Sequence, residues 1–75
     1  MIEELDVVVL NRDLPEYNLA AGDIGAAVHK YGRGEAYEVE FVTGQGETVA
    51  VVTIPSGDLR NVAPREILHV RKLAA

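Results

Sequence analysis

Two histidines and a pair of glutamates are the residues of this sequence best suited to chemistry. His29 and His69 are its two imidazoles, and with Glu38 they form a set of the type that zinc accepts. No short ligand spacing ties the three together. A solvated cross-strand pair of His29 and Glu38 is therefore expected, with at most a mild pH sensitivity, and no metal or other cofactor. Glu38 and Glu40 stand two residues apart in "AYEVEF". Paired carboxylates perform acid–base chemistry only where a pocket raises the pKa of one of them, and these two fall on the outer face of a strand. Cysteine is absent and Ser56 is the sole serine, so neither a Cys–His nor a Ser–His–Asp set is available. Gly32 and Gly34 in "GRGE" do not make a phosphate loop. A strand follows instead of a helix, no Gly-Lys-Ser/Thr is present, and Glu35 would repel phosphate. These residues predict neither an enzyme nor a small-molecule substrate.

The elements that position such residues must come from a short chain. Its 75 residues suffice for one domain, expected to span residues 1–75. A domain of this size buries only about 60% of the surface that its unfolded chain exposes, which leaves little material for a deep cleft. With 48% hydrophobic and 25% charged residues the composition is that of a folded domain. The opening "MIEELDVVVL" lacks the basic and long apolar regions of a signal peptide, and Val7–Leu10 and Val49–Val52 are too short to span a bilayer. A soluble, cytoplasmic protein is expected, with no membrane partner. The net charge is −5, and the seven Lys and Arg residues are scattered, with Arg65, Arg71 and Lys72 the nearest to a cluster. Nucleic-acid backbone usually demands a basic stripe, so a protein partner is expected rather than nucleic acid.

Hydrophobic periodicity is close to two along most of the chain, which predicts an all-β domain. Five strands are read: Leu5–Arg12, Ile24–Tyr31, Ala36–Thr43, Glu47–Ile54 and Leu68–Leu73. Pro15 stops the first, "GRGE" and "GQG" turn the next two into hairpins, and Asp58-Leu59-Arg60 makes a 3-10 turn before the last. The Gly32–Glu35 turn sets Tyr31 against Ala36, His29 against Glu38 and Val28 against Val39. The Gly44–Gly46 turn sets Thr43 against Glu47, Phe41 against Val49 and Val39 against Val51. Both registers place Val28, Val39 and Val51 on one inner face, with Tyr37 and Phe41. Ile24 and Ala26 are read as inward too, and His29 as outward. This pattern fits a small five-stranded SH3-like barrel.

The segment from "ELDVVVLNRDLPE" through "LAAGDIG" (Leu19–Gly25) to "AYEVEFV" resembles a small bacterial family, domain of unknown function 4926. The closing "EILHVRKL" is also similar to the tail of that family. The resemblance implies an SH3-like barrel from a prokaryote and supplies no catalytic residues. The Leu-x-x-Gly-Asp-x-Gly step alone is similar to KOW-type barrels of ribosome and transcription factors. An RNA- or ribosome-binding barrel using the 13–25 loop, Lys30, Arg33 and the C-terminal basic residues is therefore the alternative function. For Gly22 and Gly25 the simpler reading is a bend into the second strand, with Asp23 capping the turn.

On this register Ala50, Val52 and Ile54 point outward with Val42, where a monomeric barrel would show polar residues. Either the apolar C-terminal residues Ile67, Leu68 and Val70 cover this strip, or it binds a partner or a second copy. The function expected is a non-catalytic protein-interaction module, of regulatory or antitoxin-like type or self-associating as a homo-oligomer. Its contact surface is expected at Glu38, Glu40, Val42, Ala50 and Val52, and Val52→Glu is expected to abolish assembly while leaving the fold intact.

Overall fold

The computed structural model describes residues 1–73. It is an all-β fold of five strands: β1 (Val7–Leu10), β2 (Ile24–Tyr31), β3 (Ala36–Val42), β4 (Thr48–Pro55) and β5 (Leu59–Asn61). All pairings are antiparallel, in one sheet of order β4-β3-β2-β1-β5. A 3-10 turn at Ser56–Asp58 precedes the last strand, two residues earlier than the sequence pattern suggests. Laid flat, the outer strands β4 and β5 would lie about 19 Å apart, at 4.8 Å per strand. The four chain steps from Pro55 to Leu59 reach at most about 14 Å. The sheet must therefore curl until its edges approach, although no ladder joins β4 to β5 among the described residues. The result is an open, barrel-like wrap around one core.

That core holds Val8 and Leu10 of β1, Leu14 and Leu19 of the following loop, Ala27, Tyr37, Val39, Phe41, Val52, Ile54 and Leu59, with Ile2 closing one end. Tyr37 keeps its buried hydroxyl satisfied by donating to the Ile2 carbonyl at 2.6 Å, as a buried polar group must. The loop between β1 and β2 closes on itself. Leu14 and Leu19 exchange backbone bonds of 2.9 and 3.1 Å around a 3-10 turn at Pro15–Tyr17, which carries both leucines into the core.

Two β-bulges correct the predicted facing of the strands. The turn-proximal pairs are as expected: Tyr31 opposes Ala36, His29 opposes Glu38, and the Thr43 amide donates to the Glu47 carbonyl at 2.8 Å. Beyond each of these lies one unmatched residue. Val28 is passed over between Ala27 and His29, so Val39 faces Ala27 and not Val28. Val49 is passed over between Thr48 and Ala50, so Phe41 faces Ala50 and Val39 faces Val52. Because side chains alternate with period two, one extra residue reverses every side chain after it. Ala27, Val52 and Ile54 therefore enter the core, while Val28 and Val51 are exposed. Tyr37, Val39 and Phe41 point inward as expected.

The last strand is also displaced. β5 is Leu59–Asn61, paired with β1, and Leu68–Leu73 forms no strand. Residues 62–73 instead cross the outside of the sheet, where Val62 and residues 66–69 lie beside Val9, Ile24 and Arg60.

Candidate functional site

The outer face of β2, β3 and β4 carries the side chains singled out by the sequence, in a different set. Glu38, Glu40 and Val42 are on it, opposite Thr53, Val51 and Thr48 of β4. Val52 is 7% exposed in the core, and Ala50 packs partly buried against that core, so neither belongs to the expected contact surface. Their place is taken by Val51, at 49% exposure beside Val42 at 50%. The two valines are diagonal neighbours and form the apolar centre of the face.

The glutamates beside them are held by the strand opposite. Thr48 donates its hydroxyl to Glu40 at 2.9 Å, and the Thr53 hydroxyl donates to Glu38. Both glutamates are half-buried on the outer face, and neither lines the groove at the end of β3 described below. His29 stands opposite Glu38 in the ladder, but its Nδ1 lies 3.4 Å from a carboxylate oxygen of Glu4, and its ring meets the edge of Tyr31 with centroids 4.6 Å apart. His69 is carried away on the C-terminal segment. Among the described residues no group of three His, Cys, Asp or Glu side chains is placed to hold a metal ion.

The C-terminal segment is held by two pairs of charges. Arg60 grips Glu66 through both carboxylate oxygens at 2.7 and 2.8 Å, a bidentate geometry. Those bonds, with the Ala63 amide, draw the Glu66 carboxyl down to about 2. Further on, Arg71 donates to both oxygens of Asp23 at 2.6 and 2.5 Å and to the Asn18 carbonyl at 3.0 Å. The Arg71 bonds, ahead of the Ala20 amide, hold the Asp23 carboxyl below its ordinary range. Between the tail at His69–Leu73 and the Phe41–Gly44 end of β3 lies a groove of about 470 Å³, floored by Leu19, Ile24 and Val49. The tail therefore reaches the end of β3 at Val42 but does not cover Val51, and its own Ile67 and Val70 remain 88% and 89% exposed.

Asp23, within the Leu-x-x-Gly-Asp-x-Gly step, gives it a structural role. Leu19 is in the core, the Asp23 carboxylate caps the Ala20 amide at 2.8 Å, and the same group anchors the tail. Asp23→Asn is expected to free the tail. Arg60 still holds Glu66, so NMR relaxation should show faster motion over residues 67–72 while amide exchange of β2 to β4 stays unchanged. Acid should act in the same way. A depressed carboxyl contributes its stabilisation above the unfolded-state value of 3.8 and loses it as pH falls through the lower folded value. The tail should thus stay anchored at neutral pH and loosen only below about pH 3.8, as NMR relaxation of the tail would show.

Arg12, Lys30, Arg60 and Arg71 are each paired with a carboxylate. Residues 4–61 match the family described as domain of unknown function (DUF4926). The chain belongs to the DUF4926 family. The match runs from just before β1 to the last residue of β5, so it coincides with the curled sheet. The likeness drawn for Glu66–Leu73 falls outside it. No curated protein and no solved structure matches the chain. No helix among the described residues is long and apolar enough to cross a membrane.

The signal for Val51 was Thr53. With Thr53 outward, its period-two neighbour Val51 is outward and Val52 inward. The Asp23–Arg71 anchor had no local signal, because 48 residues separate its partners.

Proposed function

We propose that this DUF4926 protein is a non-catalytic interaction module, an SH3-like scaffold of the bacterial cytoplasm that docks a protein partner or a second copy on the outer face of β3 and β4. The observation that carries the reading is the pair Val42 and Val51, half exposed side by side and flanked by Glu38 and Glu40. The apolar pair offers the burial that holds a complex, and the glutamates beside it limit the charge that an occupant can bring to the rim. A regulatory or antitoxin-like role fits such a surface on so small an acidic protein. RNA binding through the 13–25 loop and the tail is the weaker reading, because Asp23 and Arg71 of those segments are engaged with each other.

Val51→Asp tests the proposal. The side chain is exposed, so the circular dichroism spectrum should be unchanged, while capture of a partner from the native cell should weaken by about tenfold or more, equivalent to 1.4 kcal/mol. Arg65→Glu, a charge change on the tail, should leave capture intact. Equal capture by wild type and Val51→Asp would overturn the proposal.

A further inference from the structure

The position of β4 in the sheet says more about the occupant of this surface. β4 is an outer strand eight residues long, and a strand in that position offers backbone donors and acceptors to any chain of matching shape. Proteins usually guard such an edge with lysine, proline, a bulge or an inward charge. On β4 the bulge at Val49, itself one such guard, and Pro55 stand towards the two ends, and from Ala50 to Ile54 no lysine, proline, charge or bulge interrupts the edge. The other edge differs. β5 has three residues, and the chain leaves it immediately for the tail.

We propose that two copies of this chain pair antiparallel along β4, joining their five-stranded sheets into one of ten strands. The inference rests on the docking role proposed above and names its occupant as a second copy.

Electrostatics permits this seam in spite of the net charge of −5. Residues 48–55 carry no charge, so nothing on one β4 repels the other. Glu47, just before β4, falls opposite the uncharged Pro55 of the second copy on a two-fold axis at Val51, and Glu38 and Glu40 lie one strand back on β3, held there by Thr53 and Thr48. Across the seam the β3 strands of the two copies are three strand spacings apart, about 14 Å. That exceeds the screening length of about 8 Å at physiological ionic strength. An uncharged edge is matched by an equally uncharged one, whereas a basic peptide would find no counter-charge on β4 itself. A two-fold axis at Val51 sets that residue against Val51 of the second copy, a β-branched pair of the kind that stabilises neighbouring strands. The contact is the same patch on both copies, so it uses up both β4 edges and closes as a dimer.

Edge pairing and face-to-face stacking are separated by two variants, since Val51 lies on the edge strand and Val42 one strand in. Light scattering on the purified full chain should give twice 8.1 kDa at high concentration for wild type and for Val42→Lys. Val51→Lys should stay at the monomer mass, and Thr53→Lys, a second edge variant, should do the same. Amides of β4 should exchange more slowly in wild type than in Val51→Lys at the same concentration. A wild-type protein that is monomeric at every concentration overturns the inference, and the docking proposal then stands or falls on partner capture alone. A dimer that survives Val51→Lys, or one lost equally in Val42→Lys, also overturns edge pairing, while leaving the β3–β4 surface open as a docking site.

Discussion

Val52→Glu is expected to unfold the protein. Val52 lies opposite Val39 in the β3–β4 ladder, with 7% of its surface exposed, among Tyr37, Phe41 and Ile54. A carboxylate there would have no cation to meet, since no polar or charged residue is buried in the core among the described residues. Leaving a charge buried and unpaired costs about 3–5 kcal/mol. A 75-residue domain at about 0.05–0.15 kcal/mol per residue has a total stability of about 4–11 kcal/mol, so one such charge removes most or all of it. Val52→Ala, which only shortens the side chain, should cost about 2 kcal/mol and leave a folded protein. Val51→Glu, one residue away on the exposed face, should fold normally. Far-UV circular dichroism and urea denaturation of the three variants decide the matter. A folded Val52→Glu beside an unfolded Val51→Glu would mean that β4 runs without its bulge.

The same residues show why the sequence reads correctly up to a point. The hairpin turns are chemically explicit: glycines at 32, 34, 44 and 46 place the turns, and Tyr31–Ala36, His29–Glu38 and Thr43–Glu47 follow from counting outward from them. The inward set Tyr37, Val39 and Phe41 is legible because glutamates alternate with it. Val49 to Val52 offers no such alternation. Four apolar residues in a row look alike in either phase, so a one-residue bulge leaves no trace except the polar Thr53 beyond it. In β2 the small residues Gly25, Ala26 and Ala27 are equally silent about the Val28 bulge. β5 fails for another reason. "LRN" is too short for a pattern and is held by β1, whereas "LHVRKL" has the better alternation and no ladder partner. What places the tail is the distant Asp23–Arg71 pair and the β4-to-β5 link, which delivers the chain to the free side of β1.

Gly25→Ala is expected to be the other costly substitution, and it decides what the glycines before β2 are for. A methyl group built at position 25 would sit 2.7 Å from Cγ1 of Val39, 2.8 Å from the Glu40 carbonyl oxygen and 3.0 Å from Cδ1 of Phe41. Val39 and Phe41 could turn aside, but the Glu40 carbonyl belongs to the ladder in which Glu40 faces Ala26. Relieving that contact means parting β2 from β3 where both line the core. Overpacking of this kind costs about 1–3 kcal/mol, and a clash with backbone belongs at the upper end. At about 4–8 °C per kcal/mol for a domain of this size, the melting midpoint should fall by roughly 12–24 °C. Gly22 is constrained differently. Nothing lies within 4 Å of a methyl group at that position, but its φ of +95° is one that side chains rarely adopt, and its amide donates to the Leu10 carbonyl at 2.7 Å. Gly22→Ala should therefore cost about 1–2 kcal/mol of backbone strain, less than Gly25→Ala. Urea denaturation of both variants measures the order. If Gly25 served a bound ligand and not the approach of two strands, Gly25→Ala would leave the midpoint within a degree or two of wild type. A large fall assigns the residue to the close approach of β2 and β3 and not to a ligand, just as the Val51 and Val52 substitutions report which face of β4 meets the core.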